Sequence, residues 1–446
     1  MSDITNYMIT KSLDYDSIKN LGLINKESYN VILGELNHYF KMLPDYIRRD
    51  REFKKHHDDI FTALQGVYPE SSLYDILVYL QSNKFIKLKE KTDDYIRTEG
   101  LEKAVVKSMQ NHRDFIHISL FDTRNRSDMN ALFKETDFDQ PLNLWDVSNA
   151  KNMSTMFIHS QFNQPLNLWN VSNVKDMSGM FAYSQFNQPL NSWKVSSVEN
   201  MEAMFAYSQF NQPLNSWDVS SVEKMNYMFA SSQFNHPLNS WNVSSVKYMD
   251  HMFKNSQFNQ PLNSWNVSSV TLMGNMFKNS QFNQPLNSWD VSNVTGMDAM
   301  FMHSEFNKPL NKWNVSNVTS MTDMFFDSKF NHPLNSWNVS NVVYMDGMFE
   351  QSQFNQPLNS WDVSSVRNMD HMFTDSQFNQ PLNSWDVSSV ENMNGMFLRS
   401  EFNQPLNSWN VSNVKIMDHM FVDSPFNQPL NNWNVRPSII IENNMF

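Results

Sequence analysis

Apolar residues recur in one fixed order along most of this chain. In the stretch SQFNQPLNSWDVSSVENMNGMFLR, residues 376–399, they are Phe378, Leu382, Trp385, Val387, Val390, Met393, Met396 and Phe397, with polar residues between. Trp385 and Val387 are two apart and fall on one side of an extended strand, with Asp386 on the other. Met393, Met396 and Phe397 follow at the i, i+3, i+4 spacing of one face of a short helical or 3₁₀ turn. Phe378 and Pro381, in the word F-N-Q-P-L, mark a turn back toward the strand. Each unit of the pattern is thus predicted to read strand, short helical turn, turn.

The pattern has an unbroken period. All thirteen Trp of the protein lie 24 residues apart, from Trp145 to Trp433, and Pro stands four residues before each, from Pro141 to Pro429. Separate globular beads tolerate insertions between them, whereas a stacked array in which each unit touches the next tolerates them poorly. The uninterrupted register therefore predicts a solenoid of about 13 rungs. Its Trp, Met and Phe columns are read as inward core ladders, with Met filling an irregular interior. Asn379, Asn383, Ser376 and Ser388 recur in nearly every copy and suit the satisfaction of turn backbone groups.

Residues 1–117 hold no Trp and no repeat. SYNVILGELNHYFKML and SLYDILVYLQSNKFIKL show helical spacing, so this part is read as a small helical domain, with DYIRRDREFKKHHDD as a charged helix or linker. Ile118, Phe121, Met129, Leu132 and Phe133 fit a degenerate capping rung over 118–133, ahead of the array at 134–446. At the other end, Ile439–Ile441 are expected either to fold over the last rung or to let the end pair with another chain, an end-to-end self-association. The fold class is α+β: a helical N-terminal domain followed by a repeat solenoid.

Composition narrows the function. The chain has no Cys, which removes disulfides, thiolate metal sites and thiol chemistry. The formal net charge is −12, and residues 129–446 carry 15 basic and 26 acidic residues, or −11 of it. Such a surface repels phosphate backbones, so nucleic acid is not expected as a partner. The first thirty residues contain no apolar signal region, and no run is apolar enough to span a bilayer, so no membrane insertion and an intracellular location are expected. Asn-x-Ser/Thr sequons such as Asn170, Asn242 and Asn338 fall out of the repeat word and are read as unmodified.

No catalytic constellation or nucleotide-binding motif is present, and no enzymatic activity or cofactor is expected. Asp250-His251, Asp370-His371 and Asp418-His419 recur at one repeat position, but two or more copies apart, too far to share an ion. The copies differ mainly at the two residues after Val390, the two after Met393 and the two after Phe397, which should face solvent. All five Tyr of the repeats stand there: Tyr183, Tyr207, Tyr227, Tyr248 and Tyr344. Exposed Tyr is favoured at protein interfaces, so these five are the candidate binding residues.

The word F-N-Q-P-L-N-S-W-D-V-S-S-V-x-x-M-x-x-M-F resembles the BspA-type leucine-rich repeat, over roughly residues 118–446. That family is known from bacterial surface proteins and mycoplasmas, and also from protists and large DNA viruses. The resemblance implies a leucine-rich-repeat-like solenoid used for adhesion or protein binding. The leading expectation is a non-enzymatic scaffold that holds a protein partner along its variable strip. The alternatives are a passive structural or virion component, and an adaptor, F-box-like for example, with the repeats as target receptor.

Overall fold

A computed structural model of the chain describes residues 83–110, 115 and 117–435. The predicted helices and charged segment before residue 83, and the Ile439–Ile441 triplet, lie outside the described residues. The chain divides into two compact units, residues 1–174 with 185–194, and residues 175–184 with 195–446.

In the first unit, helix α1 (Asn83–Glu99) and helix α2 (Leu101–Gln110) meet at Gly100. Gly100 has φ +97° and donates its N–H to the Ile96 carbonyl at 3.1 Å, the left-handed residue that closes a helix with least strain. Leu101, Ala104 and Val105 form the buried face of α2. Arg126 reaches back to the Ile96 carbonyl at 2.9 Å and so ties α1 to the start of the repeats. Met129, Leu132 and Phe133 are buried, and Met129 and Phe133 donate their N–H groups to Asn152 and Met156 at 2.8 and 2.9 Å. The degenerate copy therefore pairs with the first full one.

The apolar positions read from the sequence do face inward. In the reference copy Phe378, Leu382, Val390, Met393, Met396 and Phe397 are fully buried, and Trp385 is 3% exposed. Within the second unit the columns stack ring on ring: Trp361 and Trp385 lie 6.5 Å apart at 3°, and Phe373 and Phe397 5.7 Å apart at 3°. Identical side chains from successive copies thus form continuous ladders, in the offset arrangement that aromatic quadrupoles prefer.

The backbone that joins the copies is not where the spacing places it. Trp385 and Val387 belong to no ladder: the N–H of Trp385 closes a turn onto Leu382 and that of Val390 a turn onto Val387, each at 3.0 Å. The cross-copy bonds run instead through the segment read as a helical turn. Met369, His371, Phe373 and Asp375 donate to Asn392, Asn394, Met396 and Leu398 of the next copy at 2.8–2.9 Å. The alternate N–H groups, of Met372, Thr374 and Ser376, close i, i+3 turns within their own copy. No helix forms there because every second donor points to a neighbour. No strand forms because the other donors curl inward, and the pairing reduces to isolated parallel bridges such as Asn368 with Asn392 and Asn392 with Ile416.

This zigzag requires two left-handed residues per copy. His371 and Asp375 have φ +54° and +53°, and Gly395 and Arg399 +56° and +51°. Non-glycine residues adopt this region at a cost, so the ladder must over-determine it.

On the other side of each copy, side chains make the links. The Trp385 indole donates to the Leu358 carbonyl at 3.0 Å, Ser384 to the Asn359 carbonyl at 2.9 Å, and Asn413 to the Ser388 carbonyl at 2.6 Å. The Asn ladder belongs to the position after the first Phe: the Asn379 N–H donates to Asn355 Oδ1, and that of Asn403 to Asn379 Oδ1, at 3.0 and 2.9 Å. Gln380 shares the Asn355 oxygen at 3.1 Å.

Candidate interaction surface

The variable positions occupy three outward columns, set by the turns just described. Residues immediately before the first Met of each copy make the bridge column. The second residue after that Met and the second after the Phe make two left-handed columns, because these are the positive-φ positions. The five candidate tyrosines distribute over all three.

Tyr183 and Tyr207 share the column after Phe. Their N–H groups donate to Ala206 and Ala230 at 2.8 Å, and their rings stack 4.5 Å apart at 4°. They are 44% and 43% exposed, so a stacked pair stands edge-on to solvent. Partial burial, and then the neighbouring Tyr207, push the Tyr183 phenol up from its ordinary value. Tyr227 lies in the column after Met and stacks on His251 of the next copy, 4.2 Å apart at 10°. Burial raises its phenol, followed by the fields of Asp250, Tyr207 and Glu202.

Tyr248 and Tyr344 lie elsewhere, in the bridge column, where Tyr248 pairs with Lys224 and Leu272, and Tyr344 with Ser320 and Asn368. Tyr248 is half-buried and Tyr344 is 51% exposed. The structure therefore stacks Tyr183 on Tyr207, sets Tyr227 with His251 in a second column, and places Tyr248 and Tyr344 in the third. His251 is a member of the aromatic group that sequence reasoning missed. Its signal was present, since positions 227 and 251 are one period apart.

Ion pairs line the column one residue before the bridge position, and one closes in the column after Phe. Lys175 pairs with Glu199 at 2.7 Å, Lys247 with Glu223 at 2.9 Å, and Lys415 with Glu391 at 2.5 Å, each across one copy boundary. Arg399 forks onto both oxygens of Asp375 at 2.7 and 2.6 Å, which holds that carboxyl below the usual range. A shallow polar depression of about 620 Å³ runs past Ser364, Ser389, Arg367, Glu391 and Lys415, its charges already paired with one another.

Farther along, Asp298, Asp323, Asp346, Glu350 and Asp370 form an acidic row. Burial, with neighbouring carboxylates adding to it, raises Asp323, Asp346 and Glu350 above their ordinary values. Among the described residues no three of the Asp, Glu and His side chains are grouped to hold a metal ion. No helix among them is long and apolar enough to cross a membrane.

Set against known families, residues 103–209, 184–286, 278–377 and 351–446 each match the family described as "Mycoplasma protein of unknown function, DUF285". The chain belongs to this family. Successive DUF285 matches overlap, as expected where one family unit spans about four of the 24-residue copies and can be laid on the array in several registers. A comparison with curated proteins gives no match.

Proposed function

We propose that this DUF285 chain is a non-enzymatic binding scaffold. In this reading its copies build a leucine-rich-repeat-like solenoid of the BspA type, which holds a protein partner along the tyrosine strip. The observation that carries it is the exposed Tyr183–Tyr207 stack, 4.5 Å apart, on positions where the copies differ. Buried columns repeat the same residue because each side chain packs on its own kind. The outward columns are free of that constraint, and Tyr clusters there.

The stack also favours a protein over a glycan. Sugars and bases bind tyrosine through the ring face. Tyr183 and Tyr207 each cover one face of the other, and present hydroxyls and edges to solvent. Those groups suit the backbone carbonyls and side chains of a protein surface.

The test is affinity capture from the native source with full-length protein, followed by mass spectrometry. A Tyr183→Ala, Tyr207→Ala, Tyr227→Ala triple variant runs alongside. Loss of a captured protein in the variant supports the strip; equal capture by both removes it.

A further inference from the structure

Within the bridge column, two small residues separate two exposed apolar side chains. Parallel bridges join Leu272 to Gly296, Gly296 to Ser320 and Ser320 to Tyr344, so the four stand in consecutive copies of a single column. Leu272 is 40% exposed and Tyr344 more so. They lie three copies apart, roughly 14 Å at the spacing of parallel strands. Between them the column carries nothing larger than a hydroxymethyl group.

The floor of this gap is open. Outside its chain neighbours, the one described atom within 4 Å of where a Gly296 Cβ would stand is Leu272 Cδ2, at 3.6 Å. The Ser320 hydroxyl is engaged sideways, donating to Asp298 Oδ1. Exposed apolar surface around a small-residue floor is where a partner's side chain gains most from burial.

One rim of the gap is acidic. Asp298 and Asp346 stand two residues after Gly296 and Tyr344, past the buried Met297 and Met345, and the Ser320–Asp298 bond joins the two columns directly. Asp298 also accepts the Thr322 N–H, and Asp346 the Thr322 hydroxyl, each at 3.1 Å. These bonds come from hydroxyls and backbone, and none from a cation among the described residues. Burial raises the Asp346 carboxyl, with Asp370 and Asp298 adding to it, so a cation placed here would relieve a repulsion that the row leaves standing. The opposite rim, Thr295 and Thr319, is exposed and uncharged.

We propose that the gap over Gly296 and Ser320 seats one aliphatic or aromatic side chain of a basic protein segment, flanked by Leu272 and Tyr344, with a neighbouring lysine or arginine of that segment paired to Asp298 or Asp346. The net charge of −11 on residues 129–446 draws such a segment to the repeats before it seats. This goes beyond the scaffold reading above, whose evidence is the Tyr183–Tyr207 stack, by adding a second seat. Each fails or stands without the other.

The experiment measures binding of a fluorescein-labelled amphipathic leucine–lysine peptide to the full chain by anisotropy, in 0.15 M NaCl. A serine–lysine peptide of equal length and charge should bind more weakly. Gly296→Tyr fills the gap with a side chain that the same column carries at Tyr248 and Tyr344, and should weaken binding about tenfold. Tyr344→Ser, the residue found one copy earlier at Ser320, should weaken it about threefold to thirtyfold. Asp298→Asn with Asp346→Asn keeps an oxygen for Ser320 and Thr322 and should also weaken it. Asp218→Asn with Asp386→Asn removes the same charge elsewhere and should leave it unchanged. Asn is accommodated there, because Asn242 accepts the Ser244 N–H at 3.2 Å as Asp218 accepts that of Ser220 at 3.1 Å.

Peptide affinity indifferent to Gly296→Tyr, or equal for the leucine and serine peptides, overturns the seat. So does a loss as large in the Asp218/Asp386 variant as in the Asp298/Asp346 variant, which would reduce the contact to overall charge. The triple tyrosine variant of the scaffold test should bind the peptide as wild type does; its losing the peptide would move the contact to the tyrosines and overturn this seat. Equal capture of protein by wild type and triple variant removes the scaffold reading and leaves the peptide result intact.

Discussion

The indole N–H of Trp385 donates to the carbonyl oxygen of Leu358, 27 positions earlier, at 3.0 Å. That oxygen already accepts the Trp361 N–H at 3.1 Å, so each Leu carbonyl joins a turn in its own copy to the Trp of the next. Trp is required here for its donor as well as its bulk. Trp385→Phe should cost about 2–3 kcal/mol, from one lost hydrogen bond and the area no longer buried. Trp433→Phe should cost less, because that residue is only half-buried although it makes the same bond to Leu406 at 3.0 Å. Urea midpoints of the two variants test the order. Equal losses would show that the ladder does not set the cost.

The Asn ladder makes a sharper comparison, because its acceptor can be kept or removed. Asn355 Oδ1 receives both the Asn379 N–H and Gln380 Nε2. Asn355→Ala removes both acceptances and should cost about 1–2 kcal/mol. Asn355→Asp keeps the acceptor and should be close to neutral. The chain already contains that replacement: Asp139 accepts the Asn163 N–H at 2.8 Å. Chemical denaturation of the pair at neutral pH checks it, and an Asp variant as unstable as the Ala variant would contradict the acceptor account.

Backbone strain yields a prediction of opposite sign. Thr155 holds φ 53°, a region that a β-branched residue enters only under compulsion. One period later the same position is Gly179, at φ 59°. Thr155→Gly should therefore stabilise the protein by about 1 kcal/mol, less the weak 3.3 Å contact from Asn130 to the Thr155 hydroxyl. Thermal unfolding measures it, and a lower midpoint for the Gly variant would refute the strain.

The period and the inward set were fully legible in the sequence, because an invariant apolar residue at fixed spacing has one economical explanation. Phe378, Leu382, Trp385 and Met393 are all buried as read. The backbone was not. Trp385 and Val387 have strand spacing and Met393, Met396 and Phe397 have helical spacing, yet the ladder runs through the second group. The cause is the pair of left-handed positions per copy, which Tyr, His, Arg and Thr occupy here as well as Gly, under the compulsion of the ladder. Gly179, Gly347, Gly395, Asn255, Asn275 and Asn279 do stand at these positions, but scattered among Tyr, Ala, Ser and Gln they form no column that announces the turn. The tyrosines divide the same way: Tyr183, Tyr207 and Tyr344 are exposed as the pattern predicts, Tyr227 and Tyr248 are half-buried, and the column each one enters depends on the turns.

The acidic row predicts a stability that falls as pH rises. Burial is the main cause of the raised Asp346 carboxyl, with Asp370 and Asp298 adding to it and the bond from Thr322 opposing it. Asp323 and Glu350 are raised by burial too, with Asp346 next for Asp323, while His371 opposes the shift at Glu350. A carboxyl whose folded pKa lies above its unfolded one binds more protons when folded. Its penalty is absent below the unfolded value and grows as pH rises through the interval up to the folded value. Asp346→Asn removes the charge and keeps an oxygen for the Thr322 hydroxyl, which donates at 3.1 Å. The variant should therefore be more stable than wild type at pH 7.5, with the gap closing as pH falls into the carboxylate range. Denaturant midpoints at pH 7.5, 6 and 5 decide it, and a gap that stays constant would place the cost of this row in packing rather than charge.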